Sequence, residues 1–172
     1  AIKKELGDLP IIAEDLGFLT KEVKKLLYDS GYPGMKILEF AFDSKEESDY
    51  LPHKYHKNSV AYTGTHDNET IAGWYNNVEE EDREYAVRYL TKYLGVDIKS
   101  KKKIGELFIE AIWKSESNLA IAQMQDFLEL DNRARMNIPS TLGENWKWRL
   151  KGDELSDELV RKIKEITIKY SR

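Results

Sequence analysis

The chain has 172 residues, of which 41% are hydrophobic and 34% are charged, and its formal net charge is -4. That composition is typical of a soluble globular domain, and the lack of a basic face argues against a nucleic-acid partner. No apolar run reaches the roughly 18 residues that a membrane span needs. The chain has no cysteine, which excludes disulfides and thiolate metal sites and favours a reducing, cytoplasmic location.

Four apolar runs predict buried parallel strands, because a strand covered on both faces reads as a continuous hydrophobic stretch. These runs cover residues 9–13, 35–42, 60–65 and 119–125. Helical spacing, N-cap residues and glycine stops predict helices between them. The predicted helices cover residues 21–30 between Thr20 and Gly31, 69–76, 79–94 before Gly95, 102–115, and a last helix capped by Ser156.

This alternation of strand and helix, four times over, predicts an α/β fold with parallel strands. Four such units make half of a TIM-type (β/α)8 barrel, whose catalytic residues lie where strands end. An open doubly wound sheet is the competing architecture, but no Gly-rich phosphate turn follows any strand. Since the chain opens on Ala1 rather than Met, we read residues 1–172 as a single half-barrel piece of a larger catalytic domain.

Glu14 is the first candidate for chemistry, since it directly follows the apolar run of residues 9–13. Burial at a strand end favours the protonated form of a carboxyl group, which a general acid requires. The alternative is a structural role, in which Glu14 caps the next loop or pairs with a lysine.

His66 and Asp67 follow the third predicted strand and are the next candidates. Asp67 could simply cap a helix. A metal site with His66, Asp67 and the His53-x-x-His56 pair is a second alternative, weakened because the close pair lies in a polar loop. A Ser-His-Asp hydrolase is weaker still, because no Gly-x-Ser-x-Gly turn is present. Two carboxylates and a histidine at neighbouring strand ends suit glycoside cleavage.

Six motifs in one order make this hypothesis specific. They are IAEDLG at 12–17, PGMK at 33–36, FAFD at 40–43, YTGTHDN at 62–68 with GWY at 73–75, ARMN at 134–137 and NWKWR at 145–149. Together they resemble the C-terminal third of the 4-alpha-glucanotransferases, also called amylomaltases or disproportionating enzymes. Each motif is weak alone, but the series runs over nearly the whole chain.

The resemblance implies a role for each of five residues. Glu14 corresponds to the acid/base, and Asp67 to the carboxylate that stabilises the transition state by holding sugar hydroxyls. His66 would help to hold the sugar at the cleavage point, Phe40 would pack against the glucan, and Asn137 would lie close to the donor sugars. The implied substrate is an α-1,4-glucan, and the reaction uses no cofactor and no metal. Separately, we read the indoles of the NWKWR motif as packing rather than as a sugar platform.

One element of the family pattern is missing, namely the Arg-x-Asp segment that carries the nucleophile upstream of Glu14. The isolated chain is therefore expected to be inactive, and its open sheet edges predict a dimer or marginal stability. Two other functions remain open at this point. One is an α-amylase-like hydrolase with a similar His-Asp pair, and the other is a non-catalytic glucan-binding module.

Overall fold

The computed structural model describes residues 2–17, 19–99 and 101–172, and it shows an α/β fold. The helices are α1 (Ile2–Leu6), α2 (Lys21–Ser30), α3 (Ile71–Asn77), α4 (Glu80–Leu94), α5 (Ile104–Lys114), α6 (Met124–Phe127) and α7 (Asp157–Lys169). The strands are β1 (Gly34–Ile37), β2 (Phe42–Asp43), β3 (Glu46–Glu47), β4 (Ser59–Tyr62) and β5 (Leu119–Ile121). Three short 3-10 turns cover Leu38–Ala41, Pro52–Lys54 and Asn132–Ala134.

The main sheet has three parallel strands in the order β1-β4-β5. Met35 lies opposite Val60, and Ala61 lies opposite Ala120. Strands β2 and β3 form a separate two-stranded antiparallel hairpin. Because the three parallel strands point the same way, their carboxyl ends meet at one edge of the molecule, and the loops that follow them lie side by side.

The core lies between the sheet and helices α3, α4 and α5. Phe42, Trp74 and Phe108 form an aromatic cluster, with ring centroids 5.3–5.9 Å apart, a spacing at which aromatic rings attract each other. Ala86 and Leu90 of α4 are fully buried, and the tyrosines beside them are partly buried against the same core. Tyr85, Tyr89 and Tyr93 of α4 therefore form a packing surface.

The helix boundaries confirm the predictions from capping residues. Thr20 Oγ1 accepts a hydrogen bond from the backbone N–H of Val23, and Ser156 Oγ accepts one from Leu159. At the other ends, Gly31 and Gly95 adopt left-handed backbone conformations with φ of 70° and 71°. Glycine takes that conformation at little cost, which explains why α2 and α4 end there.

The strand predicted for residues 9–13 is wrong, because this segment forms only one isolated bridge, between Ala13 and Gly34. Its single ladder hydrogen bond runs from Ala13 N–H to the Pro33 carbonyl, at 2.9 Å. Leu9 and Ile12 stay 44% and 41% exposed. Because no described residue covers these apolar side chains, their burial contributes little to holding the segment in a ladder with β1.

The strand predicted for residues 35–42 is also shorter than expected. It ends at Ile37, and the 3-10 turn Leu38–Ala41 follows. In a 3-10 turn residues i and i+3 lie on the same side, so Leu38 and Ala41 are buried together, both at 0% exposure. The turn leaves Phe40 exposed at the carboxyl end of the sheet.

The strand predicted for residues 119–125 likewise ends at Ile121, and its last residues begin α6. Asp126 therefore belongs to a short helix and is almost fully buried, rather than standing at a strand end. Within the described ranges, no helix has both the length and the apolar character needed to cross a membrane.

Candidate active site

The carboxyl ends of the three parallel strands open into a cleft of about 630 Å³. Glu14, Phe40, His66 and Asp67 all line it. Asn137 is not part of the lining, but it contacts Asp67 from a neighbouring loop. The structure thus brings the predicted site residues to one end of the sheet, where parallel strands present their loops.

Asp67 is held by side chains that come from another part of the chain. Asn137 Nδ2 donates a 2.6 Å hydrogen bond to Asp67 Oδ1, and Arg135 Nη2 donates one of 2.6 Å to the Asp67 carbonyl. His66 Nε2 lies 3.4 Å from the same Oδ1 atom. The carboxylate is about half exposed, so it is fixed in direction while one side stays open to a ligand.

Residues 64–68, which we call the His-Asp loop, owe their shape to hydrogen bonds among their own residues. Asn68 Oδ1 accepts from both the backbone N–H and the hydroxyl of Thr65, at 2.9 and 2.8 Å. Thr65 Oγ1 in turn accepts from the backbone N–H of Asp67, at 3.2 Å. Such side chain-to-backbone bonds are the usual way in which Thr and Asn shape a turn. They aim His66 and Asp67 out of the end of β4.

His66 also contacts an aromatic residue from the NWKWR motif. The His66 and Trp146 rings are 4.9 Å apart and inclined by 42°. Trp146 has a φ of 64°, which is rare for a bulky residue. Its backbone N–H donates to the Met136 carbonyl at 2.6 Å. The sequence predicted a packing role for this indole. The structure places it against a site residue, with half of its surface exposed.

Glu14 is positioned differently, because only backbone geometry and its neighbour Asp15 fix its place. Asp15 Oδ1 accepts from the N–H of Met35 at 2.6 Å, and Gly34 has no side chain that would collide with that carboxylate. Glu14 itself is exposed and makes no hydrogen bond or ion pair with the rest of the described chain. The expectation of a partly desolvated carboxyl at this position is therefore wrong for the chain as described.

Phe40 lines the cleft with a ring that is 46% exposed. Tyr50 meets it edge-to-face, with centroids 5.7 Å apart and planes at 78°. An aromatic face that is supported on one side and open on the other suits the apolar face of a sugar ring.

The cleft brings two carboxylates and an imidazole together, which suits acid-base and electrostatic chemistry. Among the residues that the structure describes, no group of three or more His, Asp and Glu side chains could hold a metal ion. His53, which the metal alternative required, bonds the Tyr89 hydroxyl at 2.8 Å through Nδ1. A second cleft of about 540 Å³ between α5 and α7 mixes lysines with glutamates and contains none of the predicted site residues.

The comparison with known families decides the assignment of the chain. A family model described as 4-alpha-glucanotransferase matches residues 1–156. The chain belongs to the 4-alpha-glucanotransferase family. The motif series recognised in the sequence is thereby confirmed at the level of the family.

Relatives in this family cover the whole chain but extend well beyond it. A 4-alpha-glucanotransferase of Streptococcus pneumoniae is 48% identical over 100% of this chain and 33% of its own length. The chloroplastic/amyloplastic 4-alpha-glucanotransferase of Solanum tuberosum is 39% identical over 100% of this chain and 29% of its own. The chain therefore spans about a third of the length of the curated relatives that it matches.

A solved structure agrees with the fold. The amylomaltase from Streptococcus agalactiae in complex with acarbose superposes with a TM-score of 0.91. It is 41% identical to this chain, and the match covers 99% of this chain and 34% of that one. The α/β arrangement of parallel strands and helices is thus a property that this chain shares with an amylomaltase.

Three residues near the cleft went unnoticed in the sequence. Arg135 holds the Asp67 carbonyl, although the ARMN motif pointed to its neighbourhood. Glu39 bonds Asn68 beneath the His-Asp loop, but its place inside an apolar run suggested a strand. Asp126, whose side chain accepts from the Thr63 hydroxyl at 2.6 Å and the Ile71 N–H at 2.9 Å, was read only as a strand end. Its burial raises its pKa to about 6.

Proposed function

We propose that the protein containing this chain is a 4-alpha-glucanotransferase that moves α-1,4-glucan segments between maltodextrins by a retaining double displacement. The observation that carries this proposal is one cleft lined by Glu14, Asp67, His66 and Phe40. Family membership supports the reaction class. Because the chain spans a third of its relatives, the activity is proposed for the whole protein.

Glu14 is the acid/base in this proposal. In the first step it donates its proton to the glycosidic oxygen, while a carboxylate nucleophile attacks the anomeric carbon and the leaving glucan departs. In the second step it takes a proton from the acceptor hydroxyl, which attacks the glucosyl-enzyme. The exposure of Glu14 at the cleft leaves its carboxyl group open to both oxygens.

Asp67 stabilises the transition state by accepting hydrogen bonds from sugar hydroxyls as positive charge develops on the ring. The hydrogen bonds from Asn137 and Arg135 support this role, since a carboxylate held in direction needs no reorganisation during the reaction. His66 faces the same sugar from the neighbouring position. Phe40 packs against the glucan, and Asn137 lies near the donor sugars while it orients Asp67.

The nucleophile comes from a different segment of the protein. Neither Glu14 nor Asp67 takes that role, and the 172 residues contain no Arg-x-Asp sequence. A retaining mechanism requires a nucleophile and an acid about 5 to 5.5 Å apart. The isolated chain is therefore inactive in this proposal, and the reaction needs no cofactor or metal.

Residues 1–172 form the C-terminal half of a TIM-type barrel in this proposal. The parallel order β1-β4-β5 supports it, as does the exposure of Leu119 and Ile121 on the last strand, at 46% and 39%. The outer strands of this sheet, β1 and β5, would pair with further strands in the whole protein. The isolated chain would dimerise through such open sheet edges. A cysteine-free chain suits the cytoplasm.

The test is a product analysis of the full-length protein with maltotriose. Wild type should yield glucose together with longer glucans. The variants Glu14→Gln and Asp67→Asn should lose roughly 10²-fold or more of the transfer rate. Glu46→Gln is the matched control, since Glu46 is exposed on β3, away from the cleft, and it should retain the wild-type rate.

Other products would identify a different function. Shorter glucans without longer ones would show an α-amylase-like hydrolase. Glucan binding that survives the loss of both Glu14 and Asp67, without turnover by wild type, would show a binding module. Full activity in the Glu14→Gln protein would contradict the acid/base role.

A further inference from the structure

A largely buried glutamate lies directly beneath the His-Asp loop and is joined to Asp67 by consecutive hydrogen bonds. Glu39 Oε1 accepts from Asn68 Nδ2 at 2.9 Å. Asn68 Oδ1 accepts from Thr65 N–H and Oγ1–H, and Thr65 Oγ1 accepts from the N–H of Asp67. Two residues, Asn68 and Thr65, thus connect Glu39 to the backbone of the residue proposed to stabilise the transition state.

Glu39 is itself fixed in place. It belongs to the 3-10 turn Leu38–Ala41, and its backbone N–H donates to the Thr63 carbonyl at 3.1 Å. Gly64 lies against its carboxyl group, since a side chain carbon added at Gly64 would come within 3.2 Å of Glu39 Oε2. A rigid turn therefore presents the Glu39 carboxyl group to the underside of the His-Asp loop.

The surroundings of Glu39 favour its neutral form. Burial is the largest cause and raises the pKa to about 8, and the charges of Glu69 and Asp126 act in the same direction. The Asn68 side chain and the Glu69 backbone N–H oppose this shift in pKa with a smaller effect. Oε2 is buried without a hydrogen-bond partner among the described residues, and none of their Lys, Arg or His side chains pairs with it.

We propose that Glu39 is a positioning residue, which holds Asn68 and thereby the direction of Asp67 and His66 in the cleft. The inference rests on the proposed function for its effect on turnover. Glu39 touches no substrate, because it acts through Asn68 and Thr65. On the opposite side, Asn137 and Arg135 hydrogen-bond Asp67. The His-Asp loop is therefore held from both sides.

Ionisation of Glu39 weakens this support. A negative charge beside Glu69 and Asp126, in a site with no cation among the described residues, is relieved when the carboxylate moves towards water. That movement takes Asn68 away from Thr65. The His-Asp loop should therefore loosen progressively as pH rises from the ordinary pKa of a glutamate, 4.5, to about 8, while a glutamine at position 39 keeps the loop closed at every pH.

The experiment uses the full-length protein with Glu39→Gln, Glu39→Ala and the exposed control Glu46→Gln. Hydrogen exchange of the peptide spanning residues 63–70 reports on the loop without any need for activity. At pH 5, Glu39→Ala should exchange about tenfold faster there, while Glu39→Gln and the control match wild type. After correction for the intrinsic effect of pH, exchange in wild type should accelerate as pH rises from about 5 to 8 and level off above that, because the pKa of Glu39 is raised only while the loop is closed. In Glu39→Gln it should not accelerate.

Turnover of maltotriose gives the second measurement. Glu39→Gln should stay within about threefold of wild type, and Glu39→Ala should lose about tenfold or more in kcat. Equal loop exchange in Glu39→Ala and wild type would overturn the proposal, as would Glu39→Gln behaving like Glu39→Ala. If Glu39→Ala fails to fold, the pH series of wild type against Glu39→Gln decides. A wild type without transfer activity overturns the proposed function alone, since loop exchange still decides the role of Glu39.

Discussion

The two segments that carry the proposed catalytic carboxylates are built in different ways. Asp67 sits on the His-Asp loop, which is anchored below by Glu39 and above by Arg135 and Asn137. Glu14 sits on residues 8–17, which we call the Glu14 segment. That segment is held to the sheet by the bridge at Ala13 and the side chain of Asp15.

This difference shows how far the chain organises its own site. The His-Asp loop is stabilised entirely by residues of this chain, so the direction of Asp67 is set locally. The Glu14 segment leaves apolar side chains exposed and its glutamate without a partner in the described residues. Its final position in a working enzyme depends on what else packs against it.

The largest expected change in stability comes from Asp126, the buried carboxylate that bonds Thr63 and Ile71. Asp126→Ala leaves the Thr63 hydroxyl and the Ile71 N–H buried without their acceptor, which should cost about 2–4 kcal/mol in the free energy of unfolding. Asp15→Ala removes one acceptor near solvent and should cost about 1 kcal/mol. Urea unfolding of both variants measures the contrast, and equal losses would break it.

Hydrogen exchange should separate the two segments in the unmodified 172-residue chain. Backbone amides of the His-Asp loop should exchange on the order of 100-fold more slowly than those of residues 9–16, because local opening is easiest where few contacts must break. Fragment-resolved exchange at one pH measures this ratio. Similar protection in both segments would show that the Glu14 segment is held by more than the bridge at Ala13 and the side chain of Asp15.

Asn137→Ala should release the Asp67 carboxylate from its 2.6 Å hydrogen bond. We expect about a tenfold fall in kcat of the full-length protein, equivalent to about 1.4 kcal/mol, with little change in melting temperature. The matched control is Asn118→Ala, because Asn118 is exposed beside β5, away from the cleft. Equal rates in the two variants would mean that Asn137 does not orient Asp67.

The smallest effect should come from Trp146. Trp146→Ala removes the ring that lies against His66, and aromatic contacts of this kind contribute about 0.5–1.5 kcal/mol. The positive φ at this position is not relieved, because alanine also carries a Cβ. We expect a two- to fivefold fall in transfer rate and a change in stability below 1 kcal/mol. A fall as large as that of Asp67→Asn would make Trp146 a principal sugar contact.

Local signals in the sequence predicted the helices and the place of the site. Thr20, Ser156, Gly31 and Gly95 mark helix ends because capping depends on a few neighbouring residues. His66 and Asp67 were found because parallel strands present their following residues at one edge. Their catalytic roles stay predictions until the variants are measured.

Features that depend on distant contacts escaped the sequence. Residues 9–13 look like a buried strand in composition, but a strand forms only where other segments cover it, and Leu9 and Ile12 stay exposed. Glu39 lies in an apolar run whose strand pattern hides the 3-10 turn. The bond from Arg135 to Asp67 joins residues 68 positions apart, a separation at which spacing carries no information.

The most direct test of the separate roles of Glu14, as acid/base, and Asp67, as transition-state stabiliser, uses α-maltosyl fluoride with the full-length protein. Fluoride leaves without protonation, so Glu14→Gln should still release fluoride and form the glycosyl-enzyme, while losing about 10²–10⁴-fold with maltotriose. Asp67→Asn should lose activity with both substrates, because the developing charge on the ring is the same. Equal losses on both substrates in Glu14→Gln, or retained activity in Asp67→Asn, would contradict the account.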